Sequence, residues 1–218
     1  MFDEFYPMAY KTYGGAPGTF NTDALQNGKS FNEMNGIFIA GGSFTGLMSV
    51  SEIMQAMIEN NVGLCDDKFI NPVLTGAIVY DLGTSLGQFD PKYGREAFEN
   101  ISNEPVLRGN VGAGTGTSVG KFQYLENGTK NGGMKAGVGC ARIDVGGGAI
   151  VCALSVVNAV GNVIKPDGTI LVGNRDEKKK FKVFEDTIEF VTAGKTNTTI
   201  TIVGINVDLQ TRENYERV

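Results

Sequence analysis

The stretch that decides the fold of this chain is Ala193-Gly-Lys-Thr-Asn-Thr-Thr-Ile-Thr-Ile-Val-Gly-Ile-Asn-Val-Asp208. Its first part contains the turn formers Gly194 and Asn197, and its second part is rich in β-branched residues. This change in composition predicts a turn followed by a β-strand over 198–208. The hydroxyl of Thr198 would then lie at the start of a core strand, beside Asn197. Such a junction is either an ordinary loop-to-strand connection or the position of a nucleophile, and the dipeptide alone does not decide between them.

The composition of the chain narrows its function classes. With 218 residues, of which 41% are hydrophobic and 20% charged, the chain fits one globular domain over 1–218. A net charge of −5 and a pI near 4.9 argue against a nucleic-acid partner, because nucleic-acid binders normally carry a basic face. The one basic run, Lys178-Lys179-Lys180, is typical of a solvated turn or a helix end.

The sequence contains no histidine, which excludes Ser-His-Asp triads and Cys-His dyads within this chain. The three cysteines, Cys65, Cys140 and Cys152, are not spaced like metal ligands, so we expect neither a metal nor a cofactor. Any nucleophile must therefore be activated by an amine, an amide network or carboxylates.

The sequence offers no targeting or membrane signal. Residues 1–7 are acidic and lack the apolar core of a signal peptide. No window approaches the roughly 18 uninterrupted apolar residues of a membrane helix. We therefore expect a cytoplasmic protein that has no contact with a membrane.

The first third of the chain predicts one strand and one helix after a polar loop over 1–35. Gly36-Ile-Phe-Ile-Ala-Gly-Gly42 is a short apolar run bounded by glycines, which is typical of a buried strand leading into a helix. Apolar residues then recur at spacings of three and four up to Ile58. We expect Ser43 or Thr45 to cap that helix and Gly63 to end it.

Two glycine-rich segments connect predicted elements. The Gly41-Gly42 turn could cradle an anion, but it lacks the motifs of nucleotide-binding loops, so close packing of helix on strand is favoured. The longer segment, Gly109-Asn-Val-Gly-Ala-Gly-Thr-Gly-Thr-Ser-Val-Gly-Lys121, is either a flexible linker or a loop folded tightly over a cleft. Its alternation of glycine with serine and threonine, and the lone Lys121 at its end, favour the loop.

Further elements follow from the same patterns. A short strand is predicted over 77–81, and Asp90-Pro91 predicts the start of a helix that runs to Ile101. We expect 178–191 to form a helix or a covering segment and 209–218 to begin a last helix. Strands grouped in hairpins, with helices between them, indicate an α+β or layered fold.

A hairpin is predicted from 137–145 and 149–160, which the glycine turn 146–148 joins. The second strand is nearly all apolar and carries Asn158 near its end. A buried asparagine must be hydrogen-bonded, so Asn158 either ties down a turn or points into a site.

Several stretches together resemble one family, the self-processing peptidases typified by the L-aminopeptidase D-amidase/esterase DmpA and by the 6-aminohexanoate-oligomer hydrolase, or nylon hydrolase. The pieces occur in family order over roughly 14–208, and the long glycine segment is the most specific of them. They are Gly14-Gly-Ala-Pro-Gly-Thr19 with Thr22-Asp23, Ile39-Ala-Gly-Gly-Ser43 with Gly46-Leu47, Ala77-Ile-Val-Tyr-Asp-Leu82, Gly109 to Lys121, Val157-Asn-Ala-Val-Gly161 and Asn197-Thr-Thr-Ile200.

The resemblance implies a four-layered α/β/β/α sandwich like that of the N-terminal-nucleophile hydrolases. It also implies self-cleavage at Asn197-Thr198, which divides the chain into a large-subunit-like segment, 1–197, and the start of a small-subunit-like segment, 198–218. Thr198 would be the nucleophile. Its freed α-amine titrates near neutrality and can accept the hydroxyl proton without a histidine.

The resemblance further implies roles for three side chains. The hydroxyl of Tyr80 would polarise or hold the substrate carbonyl, Lys121 would stabilise negative charge or assist proton transfer, and the amide of Asn158 would serve the oxyanion site. Taken one at a time, they are better explained as a core tyrosine, a surface lysine and an asparagine that anchors a turn. As a set aligned with Asn197-Thr198, they favour catalysis. By the same resemblance, we expect a small peptide or amide substrate and a homo-oligomer.

The sequence departs from the family pattern at both ends, which predicts a truncated or split form. It has no counterpart of most of the N-terminal strand layer or of most of the small subunit, and neither Asp208 nor Glu213 matches the supporting pair found there. A separate small subunit could supply the remainder. The alternatives are a non-catalytic structural or assembly relative and an acyltransferase of the ornithine acetyltransferase type, whose sequence signature we do not find.

Overall fold

The computed structural model describes residues 1–82, 89–121, 133–176, 178–181 and 197–218. These residues form a mixed α/β structure with fourteen strands and three α-helices. The strands are β1 (Tyr6–Pro7), β2 (Thr19–Phe20), β3 (Glu33–Met34), β4 (Gly36–Ala40), β5 (Leu64–Asp66), β6 (Phe69–Asn71), β7 (Leu74–Ile78), β8 (Ser118–Val119), β9 (Met134–Lys135), β10 (Gly137–Gly146), β11 (Ala149–Asn158), β12 (Val163–Ile164), β13 (Ile170–Val172) and β14 (Thr198–Ile205). The helices are α1 (Ser49–Glu59), α2 (Tyr93–Glu99) and α3 (Arg212–Tyr215).

One sheet, in the order β2-β7-β4, carries the hydrophobic core. β4 and β7 are parallel, with Gly36 opposite Leu74, and β2 pairs with β7 in the antiparallel sense. Every residue of β4 is buried or half-buried, which explains its continuous apolar sequence. The buried residues that α1 and this sheet share are Phe38, Ala40, Ile53, Met57, Leu74 and Ile78.

The second helix packs against the first. Gly94 in α2 lies so close to the main chain of Ser49 that an added Cβ would collide with the Ser49 carbonyl. Arg95 then bridges the two helices, with its Nη1 at 2.6 Å from Glu59 and its Nε at 3.5 Å from Glu52. The two helices are therefore packed together, and α1 contributes Ile53 and Met57 to the core on the sheet.

The predicted helix after β4 is confirmed, but its ends differ from the expectation. A 3-10 helix, Ser43–Met48, precedes α1, and Met48 occupies the N-cap, so neither Ser43 nor Thr45 caps the α-helix. At the other end, Asn61 adopts the left-handed conformation with φ of 56° and terminates the helix before Gly63 is reached.

Three other expectations for the first half need correction. Residues 1–35 are not simply a loop, because they contain the short strands β1, β2 and β3. β1 pairs with β3, and β2 pairs with β7, so each strand has a partner distant in sequence. The strand expected over 77–81 is Leu74–Ile78, so Tyr80 and Asp81 follow it. The helix expected from Pro91 begins at Tyr93.

A second sheet, in the order β10-β11-β14, contains the predicted hairpin. β10 and β11 pair from Gly137 with Val157 to Gly146 with Ala149, which confirms the hairpin. The last predicted strand is also confirmed, although it ends at Ile205, and α3 forms in the tail. Of the segment predicted over 178–191, only 178–181 are described, and 182–191 lie outside the described residues.

The glycine-rich segment 109–121 is a hydrogen-bonded loop rather than a flexible linker. Gly109 and Val138 exchange two main-chain hydrogen bonds of 2.8 Å, and Ala136 N–H donates to the Thr117 carbonyl at 3.0 Å. A Cβ on Gly114 would lie 2.7 Å from the Val138 nitrogen, so the close approach requires glycine there. The segment is therefore fixed to the start of β10.

No helix among the described residues has the length and apolar character needed to cross a membrane.

Candidate active site

Asn158 is the last residue of β11 and is only 1% exposed, so its amide must find partners inside the protein. Its Nδ2 donates to the main-chain carbonyl of Tyr80 at 2.7 Å. Its Oδ1 accepts from Lys121 Nζ at 2.6 Å and from the Ser118 N–H at 3.1 Å. Two donors on one side and a carbonyl on the other fix the orientation of the amide. We refer to Tyr80, Ser118, Lys121 and Asn158 as the Asn158 cluster.

Lys121 is attached to Asn158 twice, since its Nζ also donates to the Asn158 main-chain carbonyl at 2.9 Å. Its own N–H donates to the Val160 carbonyl at 2.9 Å. The preceding Gly120 has φ of 66°, and a Cβ there would collide with the main chain of Asn174. Lys121 is therefore half-buried at the end of β11 and is not a surface lysine. The turn that places it there requires a glycine at position 120.

Burial lowers the pKa of Lys121 to about 8, while the negative charge of Asp81 acts in the opposite direction. A lysine of this kind is partly neutral near neutral pH, so it can accept a proton as well as donate one. An ordinary surface lysine is almost fully protonated at that pH and cannot act as a base.

Thr198 opens β14, and the pairing of β14 with β11 places it directly opposite Asn158. Residues directly opposite in an antiparallel pair have Cβ atoms about 5 Å apart and lie on the same face of the sheet. Asn197 adds a contact of its own, because its Oδ1 accepts from the Val160 N–H at 3.1 Å. The Asn197–Thr198 junction is therefore held beside the residue that anchors Lys121.

Tyr80 joins the cluster through its main-chain carbonyl. The sequence-based expectation concerned its phenol hydroxyl, whose role stays a prediction. Tyr80 is half-buried and follows β7 by two residues. The structure therefore shows a structural contribution of Tyr80, the acceptor that orients the Asn158 amide.

The sequence pattern did not identify Asp81 as part of this region. Asp81 is 6% exposed, and its Oδ1 accepts from the Gly42 N–H at 2.7 Å. The Gly41-Gly42 turn therefore binds a carboxylate of this chain. The signals for this were the polar pair after β7 and the glycine pair after β4, which lie together because the two strands are parallel neighbours. The close packing expected at this turn is also present, because a Cβ on Gly46 would collide with the Gly41 carbonyl.

All five residues predicted from the sequence lie in one region. Asn158 contacts Tyr80 and Lys121 directly, and Thr198 is its partner across the sheet. Asn197 reaches the same segment through Val160. Within the part of the chain that the structure describes, no group of three or more Cys, Asp or Glu side chains is arranged to hold a metal ion.

The fold and this region define a class of protein. It is a mixed α/β structure in which a threonine at the start of one strand, Thr198, lies opposite Asn158 in the neighbouring strand, and Asn158 is hydrogen-bonded to the half-buried Lys121. Comparison with known families identifies the class further. The sequence model of peptidase family S58 matches residues 1–218, and the chain belongs to that family.

The chain is similar to several curated mycobacterial proteins. It is 33% identical over 155 residues to uncharacterized aminopeptidases of Mycobacterium bovis and Mycobacterium tuberculosis, an alignment that covers 70% of this chain and 41% of each relative. An uncharacterized aminopeptidase of Mycobacterium leprae is 32% identical over 162 residues, covering 69% of this chain and 41% of that protein. The chain thus matches about two fifths of the length of these relatives.

Among solved structures, the chain is similar to a Burkholderia sp. beta-aminopeptidase, with a TM-score of 0.44 and 19% identity. That alignment covers 67% of this chain and 38% of the beta-aminopeptidase.

Proposed function

We propose that this chain is a self-processing amide or peptide hydrolase, of the aminopeptidase or amide-oligomer hydrolase type. Thr198 becomes its N-terminal nucleophile when the Asn197–Thr198 bond is cut. The observation that carries the proposal is the register that sets Thr198 opposite Asn158, whose Oδ1 lies 2.6 Å from Lys121 Nζ. Membership of a peptidase family and the names of the relatives support a peptidase.

Self-cleavage begins when the Thr198 hydroxyl oxygen attacks the carbonyl carbon of Asn197. The hydroxyl proton passes to a base, the C–N bond breaks, and an ester forms between Asn197 and the Thr198 side chain. Water then hydrolyses the ester, leaving a carboxylate on Asn197 and a free α-amine on Thr198. The neutral fraction of Lys121 is the base that we assign to this step, because burial lowers its pKa to about 8.

In turnover, the freed α-amine of Thr198 takes the hydroxyl proton, since an ordinary α-amino group has a pKa of about 7.7–8.0. The threonine oxygen attacks the substrate amide carbonyl, and negative charge develops on the carbonyl oxygen. We assign Lys121 and the second N–H of the Asn158 amide to stabilise that charge. The proton then passes to the leaving amine, and water hydrolyses the acyl-threonine ester.

The remaining assignments complete the proposal. The phenol of Tyr80 holds the substrate carbonyl, and the substrate is a small peptide or amide. The complete assembly is a four-layered α/β/β/α sandwich in a homo-oligomer, with a separate small subunit supplying further residues, and it works in the cytoplasm.

Mass spectrometry of the purified chain tests the proposal. We expect the intact 23.2 kDa mass to give way to a 21-residue peptide, 198–218, whose first residue is Thr198. Thr198→Ala stays intact, whereas Thr198→Ser, which keeps a hydroxyl, is processed. The matched control is Thr199→Ala, because Thr199 is the exposed neighbour on the opposite face of β14 and its loss leaves processing unchanged.

Two outcomes would overturn the proposal. A wild-type chain that stays intact after long incubation has no self-processing activity. If Thr198→Ala alters neither processing nor turnover nor stability, the chain is a structural or assembly relative that has lost the chemistry.

A further inference from the structure

Asp81 is a buried carboxylate enclosed by two glycine segments. Its Oδ1 accepts from the Gly42 N–H at 2.7 Å, and a Cβ on Gly41 would lie 2.7 Å from its Oδ2. On the other side, a Cβ on Gly116 would collide with the same oxygen. Both approaches require residues without side chains, so the main chain is fitted to the carboxylate from two directions.

The turn that holds the carboxylate is conformationally costly. Gly42 has φ of 81°, and the next residue, Ser43, is buried and also left-handed, with φ of 56°. A left-handed non-glycine residue costs on the order of 1 kcal/mol or more and persists only where its surroundings enforce it. Ser43 N–H donates to the Val79 carbonyl at 2.9 Å, which ties this turn to the segment that carries Asp81.

The same carboxylate lies beside the Asn158 cluster. Asp81 directly follows Tyr80, whose carbonyl accepts from the Asn158 amide at 2.7 Å. Gly116 belongs to the loop that ends in Lys121, so the loop passes over the carboxylate before it delivers the lysine to Asn158. A buried carboxylate needs hydrogen bonds and an opposite charge, and Lys121 is a half-buried cation on which its charge acts.

We infer that Asp81 is a positioning residue for Lys121: its carboxylate, fixed between Gly41-Gly42 and Gly116, holds in place the loop that delivers the lysine ammonium to Asn158. This inference rests on the proposed function only in that the proposed function gives Lys121 a catalytic role. The charge coupling itself belongs to the folded chain, whether or not the chain cleaves itself.

Competitive acetylation of the folded chain with acetic anhydride over a range of pH tests this coupling, with mass spectrometry of the peptide that contains Lys121. Asp81→Asn removes the negative charge that raises the pKa of Lys121, so we expect Lys121 to be labelled several-fold faster near pH 7, because a larger fraction of the lysine is then neutral. The matched control is Asp90→Asn, which removes the carboxylate 3.2 Å from the exposed Lys92. It changes labelling of Lys92 and leaves Lys121 unchanged. An Asp81→Asn protein whose Lys121 labels as in the wild type overturns the inference.

A second measurement keeps the inference testable if Asp81→Asn does not fold. In the wild-type chain, the ¹³C shift of the Asp81 carboxyl carbon should show a step at the pH where Lys121 titrates. Lys121→Met should abolish that step, and a flat Asp81 shift in the wild type overturns the inference. Neither measurement requires activity, so a chain that shows the coupling but does not process itself contradicts the proposed function alone.

Discussion

Asn158 and Thr198 lie opposite each other as paired residues of β11 and β14, one at the end of its strand and the other at the start. A slip of one residue in this pairing would move the Thr198 side chain to the other face of the sheet. The register therefore decides whether the threonine shares a face with the asparagine and its lysine.

The Asn158 amide should be important for both stability and processing. Asn158→Ala removes the side-chain donor to the Tyr80 carbonyl and the side-chain acceptor that the Ser118 N–H and Lys121 Nζ share, so we expect the free energy of unfolding to fall by about 3 kcal/mol. Urea denaturation measures the loss, and mass spectrometry should show no processing.

The control for this change is Asn206→Ala at the other end of the same sheet. Asn206 is exposed and also makes two side-chain hydrogen bonds, to the Ile150 N–H at 2.7 Å and to the Gly148 carbonyl at 3.1 Å. Because water replaces those bonds, we expect a loss of about 0.5–1 kcal/mol and normal processing. Equal losses in the two variants would contradict the importance assigned to Asn158.

Lys121 should make stability depend on pH. Its pKa is lowered from 10.5 to about 8 on folding, so between these values the unfolded chain binds more protons and stability rises with pH. Below the folded pKa, the charged lysine lowers stability in full. The gain across the window is on the order of 1 kcal/mol, because Lys121 is only half-buried and solvent screens its charge.

Denaturation at pH 7.5 and at pH 10 measures this dependence. Lys121→Met should flatten the rise, whereas Lys135→Met, which removes an exposed lysine from β9, should leave it unchanged. A rise that persists undiminished in Lys121→Met must come from other groups and would refute the assignment.

The tail should stay bound after cleavage. β14 pairs with β11 over eight residues, and the Arg212 guanidinium donates to the carbonyls of Gln26 and Lys29. We expect the 198–218 peptide to co-purify with 1–197. Arg212→Ala should speed its dissociation several-fold, since one or two exposed hydrogen bonds contribute about 1 kcal/mol. Size-exclusion chromatography of the processed protein measures the dissociation. Arg217→Ala is the control, because it removes the same charge without removing this contact. Equal dissociation in the two variants would rule out a role of the Arg212 contact.

The close contact of α1 and α2 should tolerate no side chain at Gly94. Gly94→Ala places a methyl group against the Ser49 main chain, which cannot move aside as a flexible side chain could, so we expect a loss of about 2 kcal/mol or more. Gly139→Ala is the comparison, because a Cβ there meets nothing within 4 Å and alanine suits a strand better than glycine. Thermal unfolding should show a lower Tm for Gly94→Ala and an unchanged or slightly higher Tm for Gly139→Ala.

Helix and strand positions followed from local patterns, and their ends often did not. The apolar period up to Ile58 predicts α1. Ser43 and Thr45 do not cap this helix, because they lie in a 3-10 helix that precedes it. The glycine turn bends around Asp81 before the α-helix begins. The strand predicted over 77–81 is observed at Leu74–Ile78, because pairing with β4, and not the composition of the strand itself, sets its bounds.

The candidate site shows the same division. Asn158 was expected to be hydrogen-bonded if buried, and it is. Its partners could not be predicted from periodicity, because the Tyr80 carbonyl and Lys121 Nζ lie 78 and 37 residues away in sequence. Asp81 was missed for the same reason.

The sequence by itself determined the absence of histidine, the hairpin with its glycine turn, the strand that begins at Thr198 and the order of the family motifs. These are properties of composition and of neighbouring residues, which local sterics and periodicity control. Only the tertiary structure decided that Thr198 pairs with Asn158, that Tyr80 contributes a carbonyl, and that the Gly41-Gly42 turn binds Asp81. Strand register and hydrogen bonds between distant segments depend on which surfaces the whole chain buries together, and no single stretch contains that information.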